Sequence, residues 1–177
     1  SIKRLDQLIS SIISREVTRI NKIKEAKREN PEVAAPEITL RGNNFAANRK
    51  RLPWPVQGGF VSDKFGIKNH PVLAGVKIDN NGIDIQTPIN ATVRTVFEGT
   101  VMDISDIPGL GKVVTIQHGD YYTVYANLEQ VFVAANQSVT AKESIGTAGL
   151  KEGTRQINFQ IWNQFQRQNP ELWLSNR

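Results

Sequence analysis

The chain has 177 residues, of which 39% are hydrophobic and 22% charged, with a formal net charge of +5 and no cysteine. This composition predicts one globular domain with an appendage, and it excludes a disulfide framework and a zinc site built from cysteines. No run of 18 apolar residues occurs, so the sequence predicts no segment that spans a membrane.

The positive charge is unevenly distributed along the chain. Residues 1–52 contain 12 Lys and Arg against 6 Asp and Glu, whereas residues 53–177 contain 10 against 11. The basic excess therefore belongs to the N-terminal arm, and we expect no nucleic-acid partner for the domain that follows. The arm itself fits either a solvated helix face or contact with an acidic polymer, anionic lipid or acidic protein.

The first predicted element, residues 1–30, is an amphipathic helix. Residues 2–27 contain neither proline nor glycine, and Glu29-Asn30-Pro31 predicts the helix end. Apolar side chains recur at spacings of three and four, at Ile2, Leu5, Ile9, Ile12, Ile13, Val17, Ile20 and Ile23. Each contributes about 1.5–3 kcal/mol when buried, so this stripe must be covered. Two arrangements satisfy this requirement: the end of a coiled coil, or a helix docked on the following domain.

Residues 31–52 are predicted to form a linker. They include two prolines, Gly42 and the basic run Arg49-Lys50-Arg51, and they show no sustained hydrophobic period. A linker of this length is either a plain tether or a functional segment. In the second case, residues 31–51 would lie across a groove of the following domain as a restraining arm.

Residues 53–177 are predicted to form an antiparallel β domain. Short β-branched runs alternate with turn signals, and Gly119-Asp120 predicts a hairpin turn. No helical pattern separates the strands, which favours a mainly β fold. The predicted strands are 82–86, 91–98, 100–105, 112–117, 121–126 and 158–162.

Four motifs in this domain resemble the LytM-type zinc endopeptidases of the M23, or lysostaphin-like, family. Asn80-Asn81-Gly82-Ile83-Asp84 is similar to the family signature His-x-Gly-[Ile/Val]-Asp. Residues 65–71 resemble the element before this turn, and residues 117–128 and 156–161 resemble the two histidine motifs after it. The resemblance covers residues 53–174 and implies an antiparallel LytM-like sheet folded around a long groove.

The same resemblance assigns five positions to the chemistry of the family. Its zinc ligands correspond to Asn80, Asp84 and Asn158, and its two catalytic histidines correspond to Asn127 and Gln156. A catalytic zinc needs about three protein ligands, mostly imidazole nitrogens, and an amide cannot transfer protons near neutral pH. We therefore predict no metal, no cofactor and no catalysis.

His70 and His118 are the only histidines of the chain. Neither lies in a spaced pair of metal ligands, and His118 precedes a hairpin turn. We expect both imidazoles to be satisfied by hydrogen bonds rather than to bind a metal. For Asp84, a turn-capping role and a surviving functional role are equally compatible with the sequence.

A groove without this chemistry suits binding. Amide side chains both donate and accept hydrogen bonds without net charge, so they fit a peptide or helix of a partner protein, or a glycan-peptide strand. The predicted groove residues are Asn80, Asp84, Tyr125, Asn127, Gln156, Asn158 and Gln160.

A helical arm followed by a degenerate LytM domain resembles the EnvC-type murein hydrolase activators. The resemblance implies a non-enzymatic activator that binds an N-acetylmuramoyl-L-alanine amidase during bacterial cell separation, with the coiled coil docked on a membrane complex of the division machinery. It also implies a periplasmic location, and we expect a targeting segment upstream in a longer precursor. The alternatives are an active zinc endopeptidase with a rebuilt site and a peptidoglycan-binding scaffold module.

Overall fold

A long helix precedes an antiparallel sheet in the computed structural model, which describes residues 2–32, 42 and 44–177. Helix α1 spans Ile2–Glu29, in agreement with the prediction, and two short 3₁₀ helices span Phe45–Asn48 and Pro170–Leu172. Over the described ranges, α1 included, no helix has the length and apolar character needed to cross a membrane.

The mainly β fold class is confirmed. The strands are β1 (Phe60–Asp63), β2 (Gly66–Asn69), β3 (Lys77–Asn80), β4 (Ile83–Gln86), β5 (Thr92–Arg94), β6 (Gly99–Ile107), β7 (Gly111–His118), β8 (Tyr121–Val131), β9 (Ser138–Val139), β10 (Ser144–Lys151), β11 (Thr154–Asn163) and β12 (Gln166–Gln168). The main sheet runs in the order β1-β4-β11-β10-β8-β7-β6-β9, with β5 on β10 and β12 on β11, while β2 and β3 form a separate hairpin. Its central pairs are antiparallel.

The two faces of the sheet have different partners because strand residues alternate between them. On β11, Ile157, Phe159 and Ile161 point into the main core, which also contains Ile83 and Ile85 of β4. Asn158, Gln160 and Trp162 of the same strand lie on the opposite face. The site residues predicted on β11 therefore stand outside the main core.

Helix α1 covers part of that second face. Its residues Leu5, Ile9, Ile12 and Ile13 are buried and form one cluster with sheet residues that include Val113, Tyr122, Val124, Ala126 and Trp162. Of the two arrangements left open by the sequence, the structure shows the helix docked on the domain. Every residue from Lys24 to Glu29 is exposed, so the last turns of α1 do not share this contact.

Residues 42 and 44–51 of the linker lie on the other side of the sheet, where Phe45 anchors them. Phe45 is fully buried and stacks on the rings of His118, Tyr121 and Trp173. Gly42 has φ +82°, and a Cβ there would lie 2.5 Å from the carbonyl oxygen of Glu98, so only glycine fits. Residues 42 and 44–51 thus stay out of the groove. The rest of the predicted restraining arm, residues 33–41 and 43, lies outside the described residues.

His118 is a buried structural residue. Its Nδ1 donates to the carbonyl oxygen of Glu98 at 2.7 Å, and its Nε2 lies 2.7 Å from the hydroxyl of Thr123. Burial lowers the pKa of His118 from 6.5 to about 4. The other histidine, His70, accepts the backbone N–H groups of Val72 and Leu73 at its Nδ1. Both imidazoles are engaged by hydrogen bonds, as expected.

We expect His118 to make the folded state sensitive to acid. Between pH 6.5 and about 4 the unfolded chain binds a proton at this imidazole and the folded chain does not, so stability falls as the pH falls through this window. The full difference amounts to about 3 kcal/mol. Urea unfolding of wild type and His118→Gln at pH 7 and pH 4.5 measures it. The variant should lose less stability than wild type over this interval, and equal losses would contradict the assignment.

Candidate functional site

Three side chains from three strands meet at the position that the family motifs indicate. Asn80 ends β3, Asp84 lies on β4 and Asn158 lies on β11, directly opposite Asp84 in the strand register. The Nδ2 atom of Asn158 donates to Oδ1 of Asp84 at 2.8 Å and to Oδ1 of Asn80 at 3.1 Å. The three predicted ligand positions are therefore in direct contact.

An amide network continues from this point along β11. The Nε2 of Gln160 donates to Oδ1 of Asn158, and the indole N–H of Trp162 donates to Oε1 of Gln160, both at 2.9 Å. At the other end, Nδ2 of Asn80 donates to the carboxylate of Asp63 at 3.0 Å. Each amide acts as both donor and acceptor, which satisfies buried polar groups without a charge at each position.

Asn127 and Gln156 occupy the adjoining part of the groove. Asn127 has φ +65°, a left-handed conformation that asparagine adopts more readily than most residues, and its Nδ2 donates to the carbonyl oxygen of Gln156 at 2.7 Å. Both residues line a small cavity together with Asp84, Asn158 and Lys151. The structure thus brings all the predicted chemical positions into one region.

Asp84 is the one carboxylate among these five positions, and it is half-buried. Burial raises the pKa of the Asp84 carboxyl above its usual value, while the hydrogen bond from Asn158 and the positive charge of Lys151 oppose this shift. Lys151, at the end of β10, is a site residue that the motif comparison did not indicate. It lines the same small cavity as Asp84, and its positive charge acts on that carboxylate.

The residues of the site do not fit the zinc ion of the family. The amide nitrogen of Asn158 carries no lone pair available to a metal and points its hydrogens at Asn80 and Asp84. The Oδ1 of Asn80 already accepts the N–H of Gly82 as well as that of Asn158. Across residues 2–32, 42 and 44–177, no cluster of three or more His, Cys, Asp or Glu is placed to hold a metal ion.

The first turns of α1 close the site from above. Leu5 lines a cavity of about 130 Å³ whose other walls include Asn80, Asp84, Asn158 and Gln160. The carboxylate of the next residue, Asp6, accepts a hydrogen bond from Nδ2 of Asn81. Burial raises the pKa of the Asp6 carboxyl, and the Asn81 bond opposes this shift. Helix α1 is therefore anchored at the rim of the groove by one apolar and one polar contact.

Tyr125 was wrongly predicted as a groove residue. Its side chain is fully buried in the main core, where its hydroxyl accepts the N–H of Val96 at 3.0 Å and contacts the hydroxyls of Thr95 and Thr123. On β8 the residues on the α1 side are Tyr122, Val124 and Ala126. The family motif places Tyr125 near the site in sequence, but strand alternation turns its side chain away.

The hairpin of β2 and β3 forms one side of the site. Ile78 and Asp79 of β3 line the cavity under Leu5. Lys68 of β2 forms an ion pair with Asp63 at 2.6 Å, which positions the carboxylate that receives the Asn80 amide. Arg167 of β12 donates to Asn81 and lies 3.4 Å from Asp79. These supporting charges lie on four different strands, β1, β2, β3 and β12, so sequence spacing carried no signal for them.

Comparison with known proteins places this geometry in a family. The family model "Peptidase family M23" matches residues 79–170, slightly more than half of the chain. The murein hydrolase activator EnvC of Escherichia coli is 23% identical over 185 residues, covering 98% of this chain and 43% of EnvC. The peptidoglycan DD-endopeptidase ShyA of Vibrio cholerae is 37% identical over 110 residues, covering 60% of this chain and 25% of ShyA.

Solved structures show the same fold. A zinc-containing peptidase from Vibrio cholerae superposes with a TM-score of 0.61 at 25% identity, covering 70% of this chain and 40% of that one. This chain spans less than half the length of either curated relative named above. From the family match and the fold together, the chain belongs to peptidase family M23.

Proposed function

We propose that this protein is a non-enzymatic activator of peptidoglycan amidases, with the groove around Asn80, Asp84 and Asn158 as the surface that binds the amidase. The observation that carries the proposal is the closed amide network at the ligand positions. It holds the groove together by hydrogen bonds where an active enzyme needs histidines and an open metal position. Such a groove binds but does not hydrolyse.

Helix α1 gives this activator a closed state. With Leu5 over the cavity at Asn80, Asp84 and Asn158, and with Ile9, Ile12 and Ile13 on the same face, α1 occupies the surface that the amidase would bind. A ligand that binds only the open state shifts the population towards it by its differential affinity. Helix α1 would therefore restrain the groove, a role that the sequence suggested for residues 31–51.

The proposed activator would act in the periplasm and would contact a second partner through helix α1. Similarity to EnvC, whose name describes a murein hydrolase activator, supports the periplasmic side of the cell envelope and action on murein hydrolases. The exposed end of α1, from Lys24 to Glu29, is the segment available to a membrane complex of the division machinery. Pulling on that end would draw α1 off the sheet.

The test combines the purified chain, an N-acetylmuramoyl-L-alanine amidase of the same bacterium and dye-labelled murein. We expect the chain alone to release no dye and to increase release by the amidase, with a complex detectable by size-exclusion chromatography once α1 is displaced. Absence of both stimulation and complex, also with a variant in which α1 is weakened, would reject the proposal. Binding to murein sacculi without an effect on amidases would favour the scaffold alternative.

A DD-endopeptidase activity is the second candidate, because ShyA is 37% identical over 110 residues. That activity requires a metal-bound water and a group that transfers its proton. Asn127 and Gln156 supply neither, since their amides do not titrate near neutral pH. Release of muropeptides by the chain alone, abolished by EDTA, would establish this candidate instead.

A further inference from the structure

Two buried hydroxyl groups lie beneath α1 without a hydrogen-bond partner. The Oγ1 atoms of Thr115 on β7 and Thr100 on β6 are both inaccessible, and neither is paired within the part of the chain that the structure describes. Thr115 as a whole is 0% exposed. Buried polar groups in native proteins are rarely left unpaired, and each exception calls for a physical explanation.

Both hydroxyls belong to the face that α1 covers. Gln117, two residues after Thr115 on β7, faces α1 because its Nε2 lies 3.4 Å from the carboxylate of Glu16. Residues two apart on a strand share a face, so Thr115 points the same way. Thr100 is directly opposite Gln117 in the antiparallel register and therefore shares that face as well.

The contact between α1 and the sheet is thus apolar around Leu5 and Ile9 and polar around Glu16, apart from the Asp6–Asn81 hydrogen bond at the rim of the groove. Leu5 and Ile9 meet aliphatic and aromatic side chains, whereas Glu16 is 4% exposed and reaches Gln117, which in turn contacts the hydroxyl of Tyr122. Arg19 compensates the charge of Glu16 from the same helix, at 2.7 Å. Burial, with the nearby charge of Glu16, raises the pKa of Tyr122, so this phenol stays protonated.

Helix α1 does not provide a hydrogen-bond partner for the hydroxyl groups at this polar end. One turn before Glu16 it places Ile12 and Ile13, two buried aliphatic residues, against a face that contains Thr115. An isoleucine neither donates to nor accepts from a hydroxyl. The sheet therefore has hydrogen-bonding capacity that its own helix leaves unused.

We infer that the end of this face formed by Thr115, Gln117 and Thr100 is a recognition site for a helix of the partner. This partner helix repeats the aliphatic spacing of α1, but it carries a hydroxyl or amide side chain one turn before its acidic residue. The inference rests on the proposed function and specifies the chemistry of the amidase segment that replaces α1. Such a helix satisfies the hydroxyls that α1 leaves unpaired. It therefore binds the face better than α1 does, which is the differential affinity that displacement requires.

The experiment replaces Thr115 by valine, which has the same shape without the hydroxyl. Hydrogen exchange of the backbone amides of residues 5–16 in the full chain reports the closure of α1. Because valine removes an unpaired hydroxyl, we expect α1 to open about tenfold less often. Thr87→Val is the matched control, since its Oγ1 is also buried and unpaired among the described residues but lies beside Arg155, away from α1. It should leave exchange of α1 unchanged.

Affinity for the amidase is measured in chains that also carry Ile9→Asp, which displaces α1 from the sheet. The closing of α1 over the groove then does not affect the measured affinity. There, Thr115→Val should weaken amidase binding at least tenfold by calorimetry, and Thr87→Val should not. Leu5→Asp replaces Ile9→Asp if circular dichroism shows that the latter is unfolded.

Three results would overturn the inference. Faster exchange of α1 in Thr115→Val would mean that α1 uses this hydroxyl after all. Unchanged amidase affinity in the Ile9→Asp chains would mean that the partner does not. If the Ile9→Asp variant binds no amidase although its fold is intact, the proposed function and the inferred partner helix are both wrong. The hydrogen-exchange data on Thr115→Val would then still show whether α1 uses this hydroxyl.

Discussion

Replacing Asn80 and Asn158 together by histidine is expected to convert the amide network into a zinc site that keeps about one zinc ion per chain after dialysis, where wild type keeps none. The carboxylate of Asp84 already lies 2.8 Å from the Asn158 amide nitrogen, which lies 3.1 Å from Oδ1 of Asn80. Ligand atoms of a tetrahedral zinc with bonds of about 2.0–2.1 Å stand roughly 3.3 Å apart. The side chains at the three positions therefore still converge at a spacing close to that of metal ligands.

Metal content by mass spectrometry and competition with a chromogenic chelator measure this outcome. Asn80→His alone should bind zinc far more weakly, and adding Asp84→Ala to the double variant should abolish retention. The double variant still has amides at Asn127 and Gln156, so we expect little or no hydrolysis of murein, since a proton-transfer group contributes about 10²- to 10⁴-fold in rate. Stoichiometric zinc in wild type, coupled to muropeptide cleavage, would refute both the network assignment and the proposed function.

The sequence predicted helix α1 from its apolar period, and it predicted the convergence of the site from the resemblance of its motifs to the M23 family. The apolar period of residues 2–27 and Pro31 bounded the helix to within two residues of Glu29. Asp84 and Asn158 are in contact because they face each other on the paired strands β4 and β11, and Asn80 reaches them from the end of β3, four residues before Asp84. Local patterns do not state which surface covers an amphipathic helix, so the docking of α1 on the groove face came only from the structure.

Strand β10 was not predicted, for a physical reason. Its sequence Ser144-Ile-Gly-Thr-Ala-Gly-Leu-Lys151 contains two glycines, which weaken a strand signal. The structure requires them, because a Cβ at Gly146 would lie 2.2 Å from the carbonyl oxygen of Gln130, and one at Gly149 would lie 2.7 Å from that of Asn127. The glycines that allow β10 to approach β8 so closely are also the residues that weaken the strand signal. Lys151, at the end of the same strand, thereby lies at the site.

The sequence predicted neither the short strands β1, β2 and β3 nor the face of β8 on which Tyr125 lies. Each of these strands has four residues with a single Val or Ile, whereas the equally short and predicted strand β4 has two isoleucines in alternation. Residues 121–126 of β8 alternate regularly between the two faces, with Tyr122, Val124 and Ala126 towards α1, so Tyr125 points into the main core although it belongs to the motif.

Ile9→Asp is expected to open the groove and raise stimulation of the amidase at least tenfold. Ile9 is 0% exposed within the α1 contact, and removing a buried aliphatic side chain costs about 2–5 kcal/mol. A carboxylate at that position adds the cost of burying a charge, so α1 leaves the sheet rather than hold it there. Because about 1.4 kcal/mol corresponds to a tenfold change in an equilibrium constant, the open population rises by one to several orders of magnitude.

Ile23→Asp is the matched control, because it makes the same substitution on the same helix outside the buried contact. It should leave amidase stimulation and the protection of residues 5–16 from hydrogen exchange close to wild type. If the two variants stimulate equally, a general effect of charge on α1 is at work rather than release of the groove. If Ile9→Asp frees α1 by hydrogen exchange but does not increase stimulation, α1 does not restrain the amidase-binding surface. The result therefore separates a cover that regulates the groove from a helix that only stabilises the fold.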